Sequence, residues 1–308
     1  MKIVTVGATG FVGSHLLKAL SSSSGSGTPH QITVLSRDPD RTRDRVPSGL
    51  QLLRWDPLTE AVPEQALDGA DAVINLAGDN VAEGRWTTAK KKRLVDSRIL
   101  TTRGIVDAIR DCEARPRILV NASAIGFYGP RGDEELGEQS AAGDDFLSGL
   151  CQQWEAEASR ATEIGVRTVL LRIGIVLGVG GGALKKMLLP FRLGAGGPIG
   201  SGRQWMSWIH IDDMVGLILH ALSTENLTGP VNATAPQPAT NREFSSTLGR
   251  VLRRPAFLPA PGFALRLALG EFAEILIEGQ KVLPTKAEAS GYEFRHPELE
   301  EALRDILG

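Results

Sequence analysis

Short apolar runs and longer amphipathic stretches alternate along the first half of the chain. KIVTV (2–6) reads as a buried strand, and the pattern from Phe11 to about Leu20 as a helix. ITVL (32–35), LQLLRW (50–55), DAVINLAG (71–78), RILVNAS (117–123) and VRTVLLRI (166–173) read as five further strands. Helical patterns cover about 86–112 and 144–164, and SSSSGSGTPH (21–30) reads as a flexible surface loop. Strands alternating with helices predict an α/β fold with a doubly wound, parallel sheet.

After Arg172 the texture changes. Gly178 to Gly182 is glycine-rich, and LKKMLLPFRL reads as a helix stopped by Pro190. SWIHI (207–211) predicts a strand and DDMVGLILHAL a helix with an acidic first turn. Prolines are dense from 236 to 261, and helical runs follow near 263–278 and 297–307. Residues 1–173 thus read as a dinucleotide-binding core. Residues 174–308 read mainly as a substrate-side lobe, with some segments returning to the core.

GATGFVG (7–13) lies between the first strand and the first helix and is the strongest chemical signal. Gly7 permits the tight turn, Gly10 lets backbone approach a pyrophosphate, and Gly13 lets the helix pack close on the sheet. Thr9, Phe11 and Val12 complete a turn whose free N–H groups face the phosphates. The alternative is a tight βα turn without a ligand. The second strand ends in Ser36 and Arg37. A guanidinium suits a 2′-phosphate, so NADP(H) is favoured over NAD(H). The alternative is a solvated arginine, with Asp38 on the ribose of NAD. Asp56 either meets the adenine amine or serves as a turn residue before Pro57.

NASAIGFYG (121–129) places Ser123 and Tyr128 after an apolar run, where a nicotinamide ring would lie in such a fold, as candidate catalytic residues; Tyr128 is either a proton donor in reduction or a packing residue in the turn. Gln204, Trp205 and Trp208 surround a glycine-rich entrance and are candidate substrate contacts, with core packing the alternative for Trp208. Lys185 and Lys186 either bind an anionic substrate or are solvated. His210 is either an acid/base or a loop-bonding histidine. Five histidines without paired spacing predict no metal site.

Composition narrows the field. The 308 residues are 42% apolar and 23% charged, as in a globular protein with room for a large core. A net charge of −2 gives no global field for nucleic acid. Two cysteines give no disulfide framework, the N-terminus reads as no signal peptide, and no apolar run approaches spanning length. A cytoplasmic protein without a membrane partner, monomeric or homodimeric, is expected.

GATGFVG, VINLAG (73–78), ASAIGFYG (122–129), LLRIGIVLG (170–178) and WIHIDD (208–213) resemble the extended short-chain dehydrogenase/reductases, the nucleotide-sugar epimerase group. GGALKKMLLPF, GSGRQWMSWIHIDD and GQKVLP are similar to an atypical branch called epimerase family proteins, some members of which have been labelled cell-division inhibitors. The resemblance runs through essentially the whole chain. It implies a Rossmann sheet, a bound nicotinamide dinucleotide and a C-terminal substrate lobe. Leu76, Ala77, Gly78 and Arg172, at strand ends within these motifs, join the expected cofactor contacts. Ser123 sits where the family's catalytic serine sits, give or take one residue.

The sequence departs from that family at the proton-transfer pair, a tyrosine with a lysine four residues later. The chain has two tyrosines; position 132, four beyond Tyr128, is Gly, and position 296, four beyond Tyr292, is His. On the helix after the fifth strand the expected pair falls on Phe146 and Leu150, or on Leu147 and Cys151. Two readings follow. One is an NADP(H)-dependent oxidoreductase or epimerase-like enzyme on a small polar substrate. The other is a catalytically weak or inactive dinucleotide-binding protein with a sensory or partner-binding role.

Overall fold

The computed structural model describes residues 1–22 and 30–308; most of the predicted loop at 21–30 lies outside the described residues. Strand β1 (Lys2–Val6) leads through the glycine turn into α1 (Phe11–Ser22). Then come β2 (Gln31–Ser36), α2 (Pro39–Arg43), β3 (Gln51–Arg54), α3 (Glu64–Leu67), β4 (Ala72–Asn75), α4 (Thr88–Asp111) and β5 (Ile118–Ala124). A 3-10 turn (Ile125–Tyr128) precedes β6 (Glu135–Leu136), α5 (Phe146–Glu163), β7 (Arg167–Ile173) and β8 (Ile175–Leu177). The remainder runs α6 (Gly182–Arg192), β9 (Trp205–Met206), β10 (Trp208–His210), α7 (Ile211–Ser223), β11 (Gly229–Ala233), β12 (Ala239–Thr240) and α8 (Asn241–Leu252). It closes with α9 (Gly262–Leu269), α10 (Phe272–Ile277), β13 (Lys281–Val282), α11 (Thr285–Ala289) and α12 (Leu299–Leu307).

Seven parallel strands form one sheet in the order β3-β2-β1-β4-β5-β7-β11. Helices cover both faces, which is why these strands read as unbroken apolar runs rather than alternating ones. Leu16, Leu17 and Leu20 of α1 pack with Met214, Leu217 and Ile218 of α7 on one face. Ile105, Val106 and Ile109 of α4 pack with Ala158 and Ala161 of α5 on the other. The strand order reverses at β1, so the ends of β1 and β4 frame the crevice where such sheets bind ligands.

The second half interleaves with the first. β11 is the seventh strand of the sheet and α7 covers one of its faces. A smaller core gathers Leu184 and Phe191 of α6, Trp208 of β10, Phe244 and Leu248 of α8, and Leu303 and Ile306 of α12. Two expected boundaries differ. α6 continues through Pro190 to Arg192. The proline sits in the last turn, where its missing N–H removes a single bond and the N–H of Ala195 returns to its carbonyl at 2.9 Å. The helical run near 263–278 is split at Gly270, whose φ of 63° suits glycine and ends α9.

Candidate functional site

The glycine turn is built by close approach. At Gly7, with φ +79°, a Cβ would lie 2.6 Å from the carbonyl carbon of Leu76, and at Gly13 it would lie 2.5 Å from the Gly7 oxygen. Those two glycines let β1, the end of β4 and α1 converge. Gly10 differs. An added Cβ would meet only the Gly7 oxygen, at 3.2 Å, so its outer side opens toward the crevice. The first turn of α1 offers N–H groups that no helical carbonyl can take. This cradle fits a pyrophosphate, with Thr9, Phe11 and Val12 as its rim.

A second glycine run closes on the first. Added Cβ atoms at Gly178, Gly181 and Gly182 would come within 2.9, 2.2 and 3.1 Å of the Phe11 ring, so this segment lies against that ring. Lys186 of α6 donates to the carbonyl of Ala82, tying α6 to the loop after β4. That bond ties the lobe to the core at this edge; Lys185 is exposed.

At the end of β2, Ser36 Oγ shares a 2.7 Å hydrogen bond with Thr42, and Asp38 accepts from the Arg41 N–H as the cap of α2. Asp38 is therefore engaged, whereas Arg37 is exposed and has no side-chain partner among the described residues. Arg45 donates to the Thr9 carbonyl at 3.0 Å, a second guanidinium at the glycine turn that the sequence did not mark. Asp56 Oδ1 accepts from the Leu58 N–H at 3.1 Å, the contact of a turn residue before Pro57.

The ends of β4 and β5 rest on a buried polar cluster. Asn75 Nδ2 donates to Asn121 Oδ1 at 2.7 Å and to Thr102 at 3.0 Å, and Trp154 Nε1 donates to Thr102 at 2.9 Å. Asn75 Oδ1 accepts from the Ala77 N–H, which fixes the turn Leu76–Ala77–Gly78. Behind Gly78 stands Arg98, whose Cζ would be 3.0 Å from a Cβ there. Arg98 donates to the carbonyls of Leu94 and Asp79 and lies over the Trp154 ring. It is the cation nearest this turn, and burial lowers its pKa from the usual arginine value. Its mark in the sequence is its spacing, four residues after Leu94 and four before Thr102, on the inward stripe of α4.

Ser123, Tyr128 and Arg172 are brought together, but inside the protein. Ser123 Oγ donates to Glu155 Oε1 at 2.6 Å. Arg172 grips the same carboxylate with two bonds of 2.8 Å and donates to the Tyr128 hydroxyl at 2.9 Å and the Glu138 carbonyl at 3.1 Å. Tyr128 donates to Asn232 Oδ1 at 2.6 Å and has no exposed surface. Burial pushes its phenol above the ordinary value, against the pull of Arg172. These positions correct the expected roles of Tyr128 as a proton donor and Arg172 as a cofactor contact, because the donors of both are taken by protein groups. Cys151, in the register of the missing lysine, is buried, and its thiol is pushed up to about 12. Tyr128→Phe should leave Asn232 Oδ1 short of a donor and lower stability by about 1–3 kcal/mol in urea unfolding. Cofactor affinity should change less than twofold by fluorescence titration.

The substrate candidates separate. Gln204 donates to the carbonyls of Ile199 and Leu276, while its Oε1 is buried without a partner. Trp205 Nε1 donates to Asp133 at 2.7 Å, with Lys281 over the ring. Trp208 is fully buried in the small core and bonded to the Gln237 carbonyl, which corrects its place among substrate contacts.

The fold gathers His210, Asp212 and His296, although their spacing predicts no metal site; one ligand atom from each lies within 4.8 Å of the others. His210 Nδ1 accepts from the Asp212 N–H as the cap of α7, which places the ring proton on Nε2. Nε2 stands 3.2 Å from Asp305 Oδ2 without an aligned hydrogen bond. The ring offers a metal no lone pair unless that cap breaks. Burial, aided by His296, lowers the His210 pKa. The unfolded chain then takes up the proton first, so Tm should fall as pH drops below about 6.5. His210→Asn keeps a capping side chain and should flatten that decline in thermal scans across pH.

Residues 3–233 match the NAD dependent epimerase/dehydratase family, and residues 260–306 match a domain of unknown function, DUF1731. The chain belongs to the NAD dependent epimerase/dehydratase family. Within it, the chain is 41% identical to the chloroplastic epimerase family protein SDR39U1 homolog of Arabidopsis thaliana, over 100% of this chain and 87% of that protein. It is 40% identical to epimerase family protein YfhF of Bacillus subtilis (strain 168), over 100% of this chain and 98% of that one. The crystal structure of human epimerase family protein SDR39U1 (isoform2) with NADPH superposes with a TM-score of 0.88 at 40% identity, covering 99% of each chain. The epimerase family proteins thus share this chain's full architecture, Rossmann sheet and lobe together.

Proposed function

We propose that the protein binds NADP(H) in the crevice at Gly7–Gly13 and acts as a reductase on a small polar substrate admitted between the core and the C-terminal lobe. The observation that carries the cofactor choice is Arg37, unpaired at the end of β2 while Asp38 caps α2. The human relative solved with NADPH supports the same choice. The backbone of Thr9 to Gly13 would hold the pyrophosphate, with Arg37 and Arg45 at the 2′-phosphate. Leu76, Ala77 and Gly78 would border the dinucleotide along the end of β4. Bound there, a nicotinamide supplies a hydride.

The remaining chemistry is proton transfer. Ser123 directs its proton to Glu155, and Tyr128 is sealed, so neither serves as a base for alcohol oxidation. Carbonyl reduction needs only a donor, which water supplies. A missing general base costs about 10²–10⁴-fold, so alcohol oxidation near neutral pH should be that much slower than in a relative that carries the tyrosine–lysine pair. A second reading, a dinucleotide-binding protein without turnover, is favoured by the same closed network.

The test has two arms. NADPH and NADH are titrated by fluorescence against the wild type and Arg37→Ala. Loss of a charge-assisted phosphate contact should weaken NADPH more than tenfold, about 1.5–3 kcal/mol, and leave NADH unchanged. Equal affinity for both in the wild type would overturn the cofactor choice. A panel of aldehydes, ketones and nucleotide sugars with NADPH then separates the readings, since binding without turnover selects the second.

A further inference from the structure

Two neighbouring segments of the lobe expose large apolar side chains. On α6 and just after it, Leu189 and Leu193 are 66% and 75% exposed. Between α8 and α9, Phe257 is 72% exposed, and α9, with no buried residue, adds Phe263 and Leu267 at 75% and 79%. The segments run side by side. The Leu258 N–H reaches the Gly196 carbonyl, the Ala260 N–H reaches the Pro198 carbonyl, and Gly194 faces the Pro255 ring. Such a gathering of apolar groups at one place on a surface marks a contact site.

Within the two segments the charge has one sign. Residues 182–203 and 251–269 contain seven Lys or Arg and no Asp or Glu: Lys185, Lys186, Arg192, Arg203, Arg253, Arg254 and Arg266. Lys185, Arg192, Arg253 and Arg254 are exposed with no side-chain partner among the described residues. The nearby acids of α10 are partly engaged, Glu274 with Arg266 and Glu271 with Lys91.

We infer that this face docks on an anionic lipid surface, the exposed Leu and Phe entering the headgroup boundary and the cations meeting lipid phosphates. A second copy fits poorly, because a twofold contact would set the cations of these two segments against one another, and of the neighbouring acids of α10 Glu274 is held by Arg266 and Glu271 by Lys91. The side chains protrude rather than line a groove, and a bilayer accepts protruding groups without matching shape. No helix among the described residues is long and apolar enough to cross a membrane, so the contact is peripheral.

Cosedimentation of the full chain with vesicles tests this. Phosphatidylcholine vesicles containing phosphatidylglycerol should pull down the protein, and pure phosphatidylcholine vesicles should not. Raising the salt should release it. Phe263→Asp with Leu267→Asp should abolish binding, and Arg253→Glu with Arg254→Glu should weaken it at least roughly tenfold. Unchanged circular dichroism and NADPH affinity would show that these variants fold. Equal binding to both vesicle types, no binding to either, or binding that survives both variant pairs would overturn the inference. So would a dimer in sedimentation velocity that Phe263→Asp and Leu267→Asp dissociate, since it would assign the face to a second copy.

Discussion

Replacing Glu155 by alanine is expected to destabilise the protein by about 3–5 kcal/mol, the cost of leaving a buried charge without its partner. Glu155 and Arg172 are paired by two bonds of 2.8 Å, with side-chain exposures of 10% and 4%. Water cannot replace the lost carboxylate there. The damage should spread, because Ser123 donates to the same carboxylate and Arg172 also holds Tyr128. Urea unfolding should show a lowered midpoint with little change in slope. Glu155→Leu combined with Arg172→Met should recover most of the loss, since an apolar pair of similar volume removes both charges together. A single Glu155→Ala variant within 1 kcal/mol of wild type would show that Arg172 finds another counter-charge or water.

The second large effect is on ligand binding. Gly10→Val should weaken NADPH binding by at least roughly 100-fold, about 2.7 kcal/mol, while the protein stays folded. The separation rests on geometry. A Cβ at Gly10 meets a single oxygen at 3.2 Å, whereas at Gly7 or Gly13 it would lie 2.5–2.6 Å from backbone. Changes at Gly7 and Gly13 therefore test folding, and a change at Gly10 tests the cradle. Circular dichroism and thermal unfolding of Gly10→Val should resemble wild type, with the fluorescence titration flat. Undiminished binding would move the pyrophosphate away from this turn.

The six strands marked between residues 2 and 173 lie where their apolar runs place them, because a parallel strand covered on both faces leaves a continuous signature. β8, β9, β12 and β13 are two or three residues long and carry no period to read. The start of α8 is written in Thr240 and Glu243, which form a capping box, yet the dense prolines on either side mask the helix. In the site, Arg37 is legible because its place at a strand end defines its surroundings. Tyr128 is not. Nearness in sequence to a strand end does not say whether a side chain faces the crevice or the interior, and the partners that decide it, Asn232 and Arg172, are remote in the chain. Arg98 hides for a related reason: on a helix rich in charged residues it reads as surface until the stripe it shares with Leu94 and Thr102 is traced.

Asp213 lies in the first of the two matched regions and is fully buried, yet its carboxylate accepts from the Tyr292 hydroxyl and from the backbone N–H groups of Arg295 and His296 in the second. The Tyr292 ring is seated over Gly216, where any side chain would collide with its hydroxyl. A boundary drawn between two family descriptions is therefore not a joint in the molecule. A fragment ending near residue 233 would bare an unneutralised carboxylate and the apolar flank of α7, and residues 260–306 alone would lose the anchor that holds residues 292–296. The two stretches are one structural unit, and a swap of either between relatives has to carry the Asp213, Gly216 and Tyr292 contacts with it.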